Sequence, residues 1–392
     1  MSTSVLLLAM DPGWFGTIRI PRALSVAGFE VALLAPPGGL VERSRYLARK
    51  VDLPYPLTPL QWCHAFDAAV RTTAPLIVLA CDEQSFILLK ILAESPPPGM
   101  APARYAELVA LVHTSLGDPA CYFTSIDRRR LPGAAEALGV RVPPYTSVSA
   151  PHEAAAFVAL HGYPVVLKLG ISFGGIGVAI CPDWDALVQA FSELRQSNIA
   201  NLGVDSDCMH LEAAIPGAVT YYGMAAWQGA LLAGFATERL VCNPPPKGPA
   251  TVIRYHRNDE IRGFAEKLVR GFSMSGLIGI ECIVHARSGE AYLIEINRRV
   301  TPGHHRGAQF KVDLCAALHA ALNDLPSPSR TDLDEGEQGI RCSFPQEWLR
   351  DPNSHWLREY PVDVPWDEPE LLDAMLALAR RRRHGAAAPA SS

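Results

Sequence analysis

The sequence predicts a mixed α/β and α+β architecture: an N-terminal domain on a small parallel sheet, then α+β units rich in antiparallel strands. Two observations carry this. Over residues 1–112, short apolar runs alternate with amphipathic stretches, the pattern of βα units whose helices cover a parallel sheet. From Gly279 to Arg299, GIECIVHARSGEAYLIEINRR instead alternates with period two on both sides of a turn, as hairpin strands do.

In the first region, Val5–Met10 reads as a strand, the turn Asp11-Pro12-Gly13-Trp14-Phe15-Gly16 follows, and Ile18–Ala27 and Phe29–Ala35 read as helix and strand. Leu76–Ala80 is a further buried strand and Phe86–Ala93 a helix. Gly13 and Gly16 do not complete GxGxxG, so no dinucleotide site is expected there. Pro96-Pro97-Pro98-Gly99 and Pro102 punctuate the end of this region.

A second region opens near Tyr122. Asp127 is expected to cap a helix over Arg128–Leu138, stopped by Gly139 and Pro143-Pro144. Ser149 and Glu153 start another helix, reaching about His161. Val165–Leu169 and Val178–Cys181 read as strands, and Asp183 caps an amphipathic helix on Ala186, Leu187, Ala190, Phe191 and Leu194. Strands follow at Met209–Ile215, Val219–Ala226 and Leu231–Glu238, then a proline-rich loop at 244–249 and a helix over Glu260–Met274. After the hairpin, a short helix is expected at Leu371–Ala379, then Arg380–Arg383 and a disordered Ala/Pro/Ser tail. These readings divide the chain into 1–112, 113–325 and a C-terminal extension, 326–392.

Composition narrows the function. The chain has 392 residues, 49% apolar and 19% charged, ordinary for a globular protein with two or three cores. A net charge of −5 offers no electrostatic case for nucleic acid or anionic membranes. Nine cysteines without a CxxC pair suit a reducing cytosol better than a disulfide framework. Val5–Met10 is too short for a signal core, and no run approaches the roughly 20 apolar residues that span a bilayer. A cytoplasmic protein is expected.

The hairpin carries the strongest chemical signal. A three-residue loop, Arg287-Ser288-Gly289, pairs Ala286 with Glu290 and so sets Glu281 opposite Glu295, with Asn297 on the same face. Cross-strand partners lie roughly 4.5–5.5 Å apart at Cβ, where like charges repel. Two carboxylates and an amide oxygen suit a hard divalent cation such as Mg²⁺ carried by a nucleotide. A solvated face bearing acids is the plainer reading, but the neighbouring residues are apolar. Lys168, ending the apolar strand 163–168, is followed by a glycine-rich loop at 170–177 that includes Ser172, Gly174 and Gly175. A lysine in such a strand calls for an anion, and backbone N–H groups of such a loop can close over phosphate oxygens. Unlike a Walker or Rossmann turn, this loop joins two strands. The alternative is a turn beside a snorkelling lysine. Glu212, before Ala213 and Ile215 at a strand end, can accept hydrogen bonds, and Arg128 reads either as surface charge or as a phosphate contact.

In chain order these pieces resemble the ATP-grasp superfamily: Asp127-Arg128, GVRVPP at 139–144, YPVVLK at 163–168, the 170–177 loop, the Glu-x-x-Ile-Pro-Gly hinge at 212–217, Glu281, and EINRR at 295–299. The resemblance covers about residues 115–320. It implies an N-terminal α/β domain followed by an ATP-grasp fold of two α+β subdomains with ATP between them. It further implies Arg128, Lys168, Ser172, Gly174, Gly175, Glu212, Ala213 and Ile215 as nucleotide contacts. Glu281, Glu295 and Asn297 are implied as magnesium ligands, with Mn²⁺ able to substitute, and Arg299 and Lys168 as catalytic groups. The expected activity is a carboxylate–amine ligase acting through an acylphosphate on a small carboxylate and an amine. A carboxylase- or formate-type enzyme of the same superfamily is one alternative, disfavoured here by the lack of a biotin-carrier extension, and a non-catalytic nucleotide-binding module is another. No nucleic acid or membrane partner is implied, and a homodimer is compatible with the reading. Arg128 stands where many members have lysine, Arg298 where proline is common, and Val219 where many have a second hinge glutamate. Arg254, His256 and His304 are the weaker candidates for the acceptor side, with Tyr255 beside them.

Overall fold

A computed structural model describes residues 3–12, 14–53, 58–172, 177–196 and 208–386. Strands β1 (Thr3–Leu8), β2 (Phe29–Ala35), β3 (Arg49–Asp52) and β4 (Ile77–Ala80) form a parallel sheet in the order β3-β2-β1-β4. All six residues of β1 are buried, as a central strand covered on both faces must be. Leu6 and Leu8 pack with Trp62, Phe66, Phe86 and Leu108 from helices Pro59–Thr73, Glu83–Glu94 and Pro102–Leu116. Val5 and Leu7 face the other way, into a core shared with helix Leu314–Leu322 and with Phe235 and Leu277 of a second sheet. One apolar cluster therefore ties the N-terminal sheet to the later part of the chain.

Three of these elements escape the sequence reading for identifiable reasons. β3 is a polar, exposed edge strand with no apolar alternation to reveal it. The helices at 59–73 and 102–116 both open with proline in the first turn, where its missing N–H costs nothing. Pro102 starts a helix rather than closing the region.

A small antiparallel sheet follows, built from β5 (Tyr145–Val148), β6 (Val165–Lys168), β7 (Val178–Cys181) and β8 (Met209–Ala213) in the order β5-β8-β6-β7. Its apolar side is covered by Phe157 and by Leu187, Phe191 and Leu194 of helix Trp184–Gln196. Asp183 accepts from the Ala186 N–H at 2.9 Å, as expected of a cap.

The largest sheet comprises β9 (Gly217–Trp227), β10 (Ala230–Cys242), β11 (Ala250–His256), β12 (Gly276–His285), β13 (Ala291–Asn297) and β14 (Gly339–Cys342), ordered β13-β12-β9-β10-β11-β14. Every neighbouring pair is antiparallel. Helix Asp259–Gly271 buries Ile261, Phe264, Leu268 and Val269 against one face, and the other face turns to the N-terminal sheet.

The segment after 326 contributes β14 and then returns to the N-terminal domain. Asp367 and Glu368 meet Arg22 and Arg19 at 2.5 and 2.8 Å, and Ser44 donates to Glu368. The last helix runs Pro369–Ala386, beyond the expected Leu371–Ala379, and so takes in Arg380–Arg383. Alanine, leucine and arginine are good helix formers, and basic residues suit a helix C-terminus. Residues 387–392 of the expected tail lie outside the described residues.

Candidate functional site

The acidic hairpin forms with Glu281 opposite Glu295 and Gly279 opposite Asn297. The route to that register differs from the expected one. The His285 N–H donates to Glu290 O at 2.9 Å and Val284 pairs with Ala291, so the turn holds four residues, 286–289, rather than three. A β-bulge between Cys282↔Leu293 and Glu281↔Glu295 restores the count. Its extra residue, Ile294, lets Leu293 and Ile296 enter one core while Glu295 and Asn297 turn to the opposite face. Bulges commonly re-aim side chains in this way beside functional sites.

On that face, the row Glu295, Glu281, Tyr221, Thr237 crosses four strands. Burial, and then the Glu295 charge, push the Glu281 carboxyl up from its ordinary range. The Asn297 amide donates to Glu281 at 3.3 Å, leaving its own carbonyl oxygen available. The donors are hard oxygens, which fits a Mg²⁺-type cation. No group of three or more His, Cys, Asp or Glu able to hold a metal occurs among the described residues. A cation here would therefore complete its shell with oxygens from a ligand, as Mg²⁺ on a polyphosphate does.

Arg128 lies in the turn before helix Leu131–Ala137, not inside a helix capped by Asp127. The Asp127 carboxylate instead accepts from the Arg129 N–H at 2.9 Å and from the Arg129 guanidinium. The Arg128 N–H donates to Gly170 O at 2.8 Å, and a Cβ on Gly170 would come within 2.7 Å of the Arg129 guanidinium, so glycine permits this close approach. Arg128 is buried, reaching Glu295 at 2.7 Å and Ser172 Oγ at 2.5 Å. Burial would lower its pKa, but the Glu295 charge and hydrogen bond, together with the Glu212 and Glu281 charges, raise it. Ser172 is thus beside Arg128, whereas Gly174 and Gly175 lie outside the described residues.

Lys168 ends β6 and is buried, its Nζ 2.5 Å from Glu212 Oε1, while His210 Nε2 lies 3.0 Å from Glu212 Oε2. Burial alone would raise the Glu212 pKa, but the Lys168 charge and the His210 hydrogen bond hold it at about 2. Stability from a carboxyl depressed in this way is fully present above its unfolded value and disappears as the pH falls through its folded one. Acid titration of unfolding should therefore show a loss between about pH 4.5 and pH 2, and Glu212→Gln should flatten it. An unchanged acid limb in the variant would mean that Glu212 does not govern that loss. Ala213 N–H donates to Pro144 O at 2.9 Å, and Ile215 is half-buried just past β8.

Arg299 reaches Glu83 Oε1 at 2.5 Å, and its guanidinium lies 5.3 Å from the Trp14 ring. Neighbouring Arg298 is also buried. It donates to Ser125 Oγ at 3.0 Å and to Leu116 O, and lies 5.4 Å from the Phe86 ring. Burial lowers its pKa to about 10. Arg128, Ser172, Glu295, Asn297, Arg298 and Arg299 line one cleft of about 430 Å³, part of it open to solvent, whose far wall is helix Glu83–Glu94. Arg128 also lines a smaller pocket with His210, Glu212 and Leu293, so it stands between the Lys168–Glu212 pair and the acidic hairpin.

The acceptor-side candidates fare differently. Arg254 and His256 share a face with Glu238, Thr220 and Cys282, opposite to that of Glu281, and Arg254 pairs with Glu238 at 3.1 Å. A one-residue step along β11 decides the face, and the sequence around it does not reveal the register. Tyr255 is buried between Phe235 and Phe310. His304 accepts from the Thr301 N–H at 2.8 Å and donates from Nε2 to Ile278 O at 2.9 Å. Burial lowers its pKa to about 4, so it is a neutral, satisfied ring that supports Tyr221 at 3.1 Å. The Tyr221 ring lies across Gly279, where a Cβ would meet it at 2.2 Å. Glu83, Trp14 and Tyr221 escaped the sequence reading as site residues, while His210 opened the candidate segment 210–217 without a role of its own.

Residues 127–216 match the family described as the ATP-binding domain of the carbamoyl-phosphate synthase L chain. Over 211 residues, 52% of this chain, the sequence is 28% identical to the carbamoyl phosphate synthase large chain of Pseudomonas syringae pv. tomato, and the match spans 19% of that relative's length. Among solved structures, the biotin carboxylase domain of the Hydrogenobacter thermophilus 2-oxoglutarate carboxylase, with MgADP, ADP and bicarbonate, aligns at TM-score 0.63 and 17% identity over 87% of this chain and 74% of its own. Biotin carboxylase from Campylobacter jejuni aligns at 0.65 and 15%, over 87% and 75%. The N5-carboxyaminoimidazole synthetase of Staphylococcus aureus, complexed with ADP, aligns at 0.60 and 14%, over 87% and 82%. At these identities the structural likeness is one of fold. No helix among the described residues is long and apolar enough to cross a membrane.

Proposed function

We propose that this chain, which has the ATP-grasp fold, is an ATP-dependent ligase that joins a small carboxylate to an amine and releases ADP and phosphate. The observation that carries the reading is the convergence of Glu295 and Asn297 with Arg128 and Arg299 around one cleft, with Glu281 cross-strand to Glu295 and hydrogen-bonded to Asn297, and the buried Lys168–Glu212 pair on the far side of Arg128. Phosphoryl transfer demands positioning and charge neutralisation more than covalent help from the protein, and this residue set supplies both.

In this reading Lys168, Arg128 and Ser172 hold the nucleotide phosphates, together with the backbone of Gly174 and Gly175. Glu212, Ala213 and Ile215 border the base and ribose. Glu281, Glu295 and Asn297 would hold magnesium, which would supply neutralisation of the polyphosphate charge. Arg128 and Lys168, paired here with Glu295 and Glu212, would turn to phosphate oxygens when the nucleotide binds. Arg299 steadies the phosphoryl group as a carboxylate oxygen attacks the γ-phosphorus and ADP departs. The amine then attacks the acyl carbon, loses a proton and displaces phosphate.

A carboxylase-type reaction, with bicarbonate as the phosphorylated acid, is the second reading, favoured by the likeness to biotin carboxylases and carboxyaminoimidazole synthetase. Phosphate release from Mg-ATP, measured against acids and amines singly and in pairs, separates these possibilities. The ligase requires both partners together, while release with bicarbonate supports the carboxylase. Nucleotide binding without release under any pairing would indicate a regulatory module.

A further inference from the structure

The cleft has two chemically different walls. Arg128, Ser172, Glu295 and Asn297 make the phosphate side, and the rest of the lining includes Ile87, half-buried on helix Glu83–Glu94 of the N-terminal domain, and half-buried Ile126 of the segment before Arg128. An acceptor must lie against the γ-phosphate with its reacting oxygen in near-attack position, so the rest of its body falls on this second wall. Bicarbonate and formate have no apolar body for such a surface to cover.

The charges sharpen the point. Arg128 is paired with Glu295 and Arg299 with Glu83, but Arg298 has no carboxylate within ion-pair distance among the described residues. The residue is 5% exposed, its two hydrogen bonds go to neutral oxygens, and its Nε has no partner. A buried cation of this kind is costly unless an anion joins it.

We infer that this cleft is the acceptor subsite for a small organic acid with an aliphatic or aromatic body, its carboxylate attracted by Arg298 and its body seated on Ile87 and Ile126. The inference rests on the ligase reading above and adds the class of acid. The Arg298 position, where related motifs commonly carry proline, becomes a specificity determinant, and the N-terminal domain becomes a substrate wall rather than a scaffold.

The test uses the full chain with Mg-ATP and a mixed amine pool, comparing formate, bicarbonate, acetate, isovalerate, phenylacetate, leucine and aspartate in ADP release, with Mg-ADP affinity measured separately. Isovalerate, phenylacetate or leucine should exceed formate, bicarbonate and aspartate at least tenfold in kcat/KM. Ile87→Asp should raise KM for the preferred acid at least tenfold, and Arg298→Gln should do the same, with Mg-ADP affinity within twofold of the parent for both. Ile87→Ala, which adds no charge, covers the case in which Ile87→Asp fails to fold and should raise KM severalfold. Preference for bicarbonate, formate or aspartate with normal Mg-ADP binding would overturn the acid class while leaving the nucleotide reading intact. Variants that lose only thermal stability, at unchanged KM, would reduce Arg298 and Ile87 to packing and overturn the subsite. Failure of the parent protein to bind Mg-ADP would sink the underlying reading, and this inference with it.

Discussion

Lys168→Ala is expected to weaken Mg-ATP binding about 10- to 100-fold, the worth of a charge-assisted contact, and to take turnover below detection. The buried ion pair adds a second consequence. Lys168 lies 2.5 Å from Glu212, and both side chains are 6% exposed. Removing the ammonium leaves a buried carboxylate with His210 as its remaining partner, a change that typically costs about 3–5 kcal/mol. The variant should therefore unfold at lower denaturant as well as bind nucleotide poorly. The double variant Lys168→Ala/Glu212→Gln separates the two effects: it removes both charges, so stability should largely return while Mg-ATP affinity stays low. Calorimetric titration alongside urea unfolding reads both quantities. Unchanged nucleotide affinity in a folded Lys168→Ala protein would assign the lysine to structure alone.

The parts of this site legible in the sequence are those whose chemistry is written into local pattern. Period-two alternation put Glu281 opposite Glu295 with Asn297 beside them, and an apolar strand before a glycine-rich loop singled out Lys168. The details that escaped depend on contacts distant in sequence. The bulge at Ile294 is invisible because a four-residue turn and one extra strand residue cancel, leaving the acidic pair where a simpler hairpin would put it. Arg254 and His256 looked like acceptor contacts until the register of β11 put them on the other face. Glu83, 216 positions from Arg299, meets it only because helix Glu83–Glu94 docks at the end of β13. The asymmetry is physical: period and turn chemistry act over a few residues, whereas register and docking are set by which apolar faces bury each other.

The acidic pair gives the most direct test of the metal reading, and its two members should respond differently. Glu281 has the Asn297 amide as hydrogen-bond partner, and both its burial and the Glu295 charge disfavour its ionised form. Glu281→Gln removes that repulsion, so at neutral pH the protein without nucleotide should melt at the same temperature or higher. Glu295 bears the Arg128 ion pair at 2.7 Å, and Arg128 is only 5% exposed. Glu295→Gln leaves that guanidinium without its counter-charge, so this variant should melt lower in the absence of nucleotide. With Mg-ATP the two should converge. Each loses one carboxylate of the clamp on the transferring phosphoryl group, and turnover should fall about 100- to 1,000-fold, the loss typical of removing one transition-state electrostatic contact. At a hundredfold excess of Mg-nucleotide over its dissociation constant the parent gains about 2.7 kcal/mol of stability, a gain that both variants should lose in large part at the same ligand concentration. The decisive observation is opposite stability effects combined with a shared loss of magnesium-dependent phosphate release. If Glu281→Gln destabilised the protein and left phosphate release intact, Glu281 would be a structural carboxylate, and the cation would have to be held elsewhere.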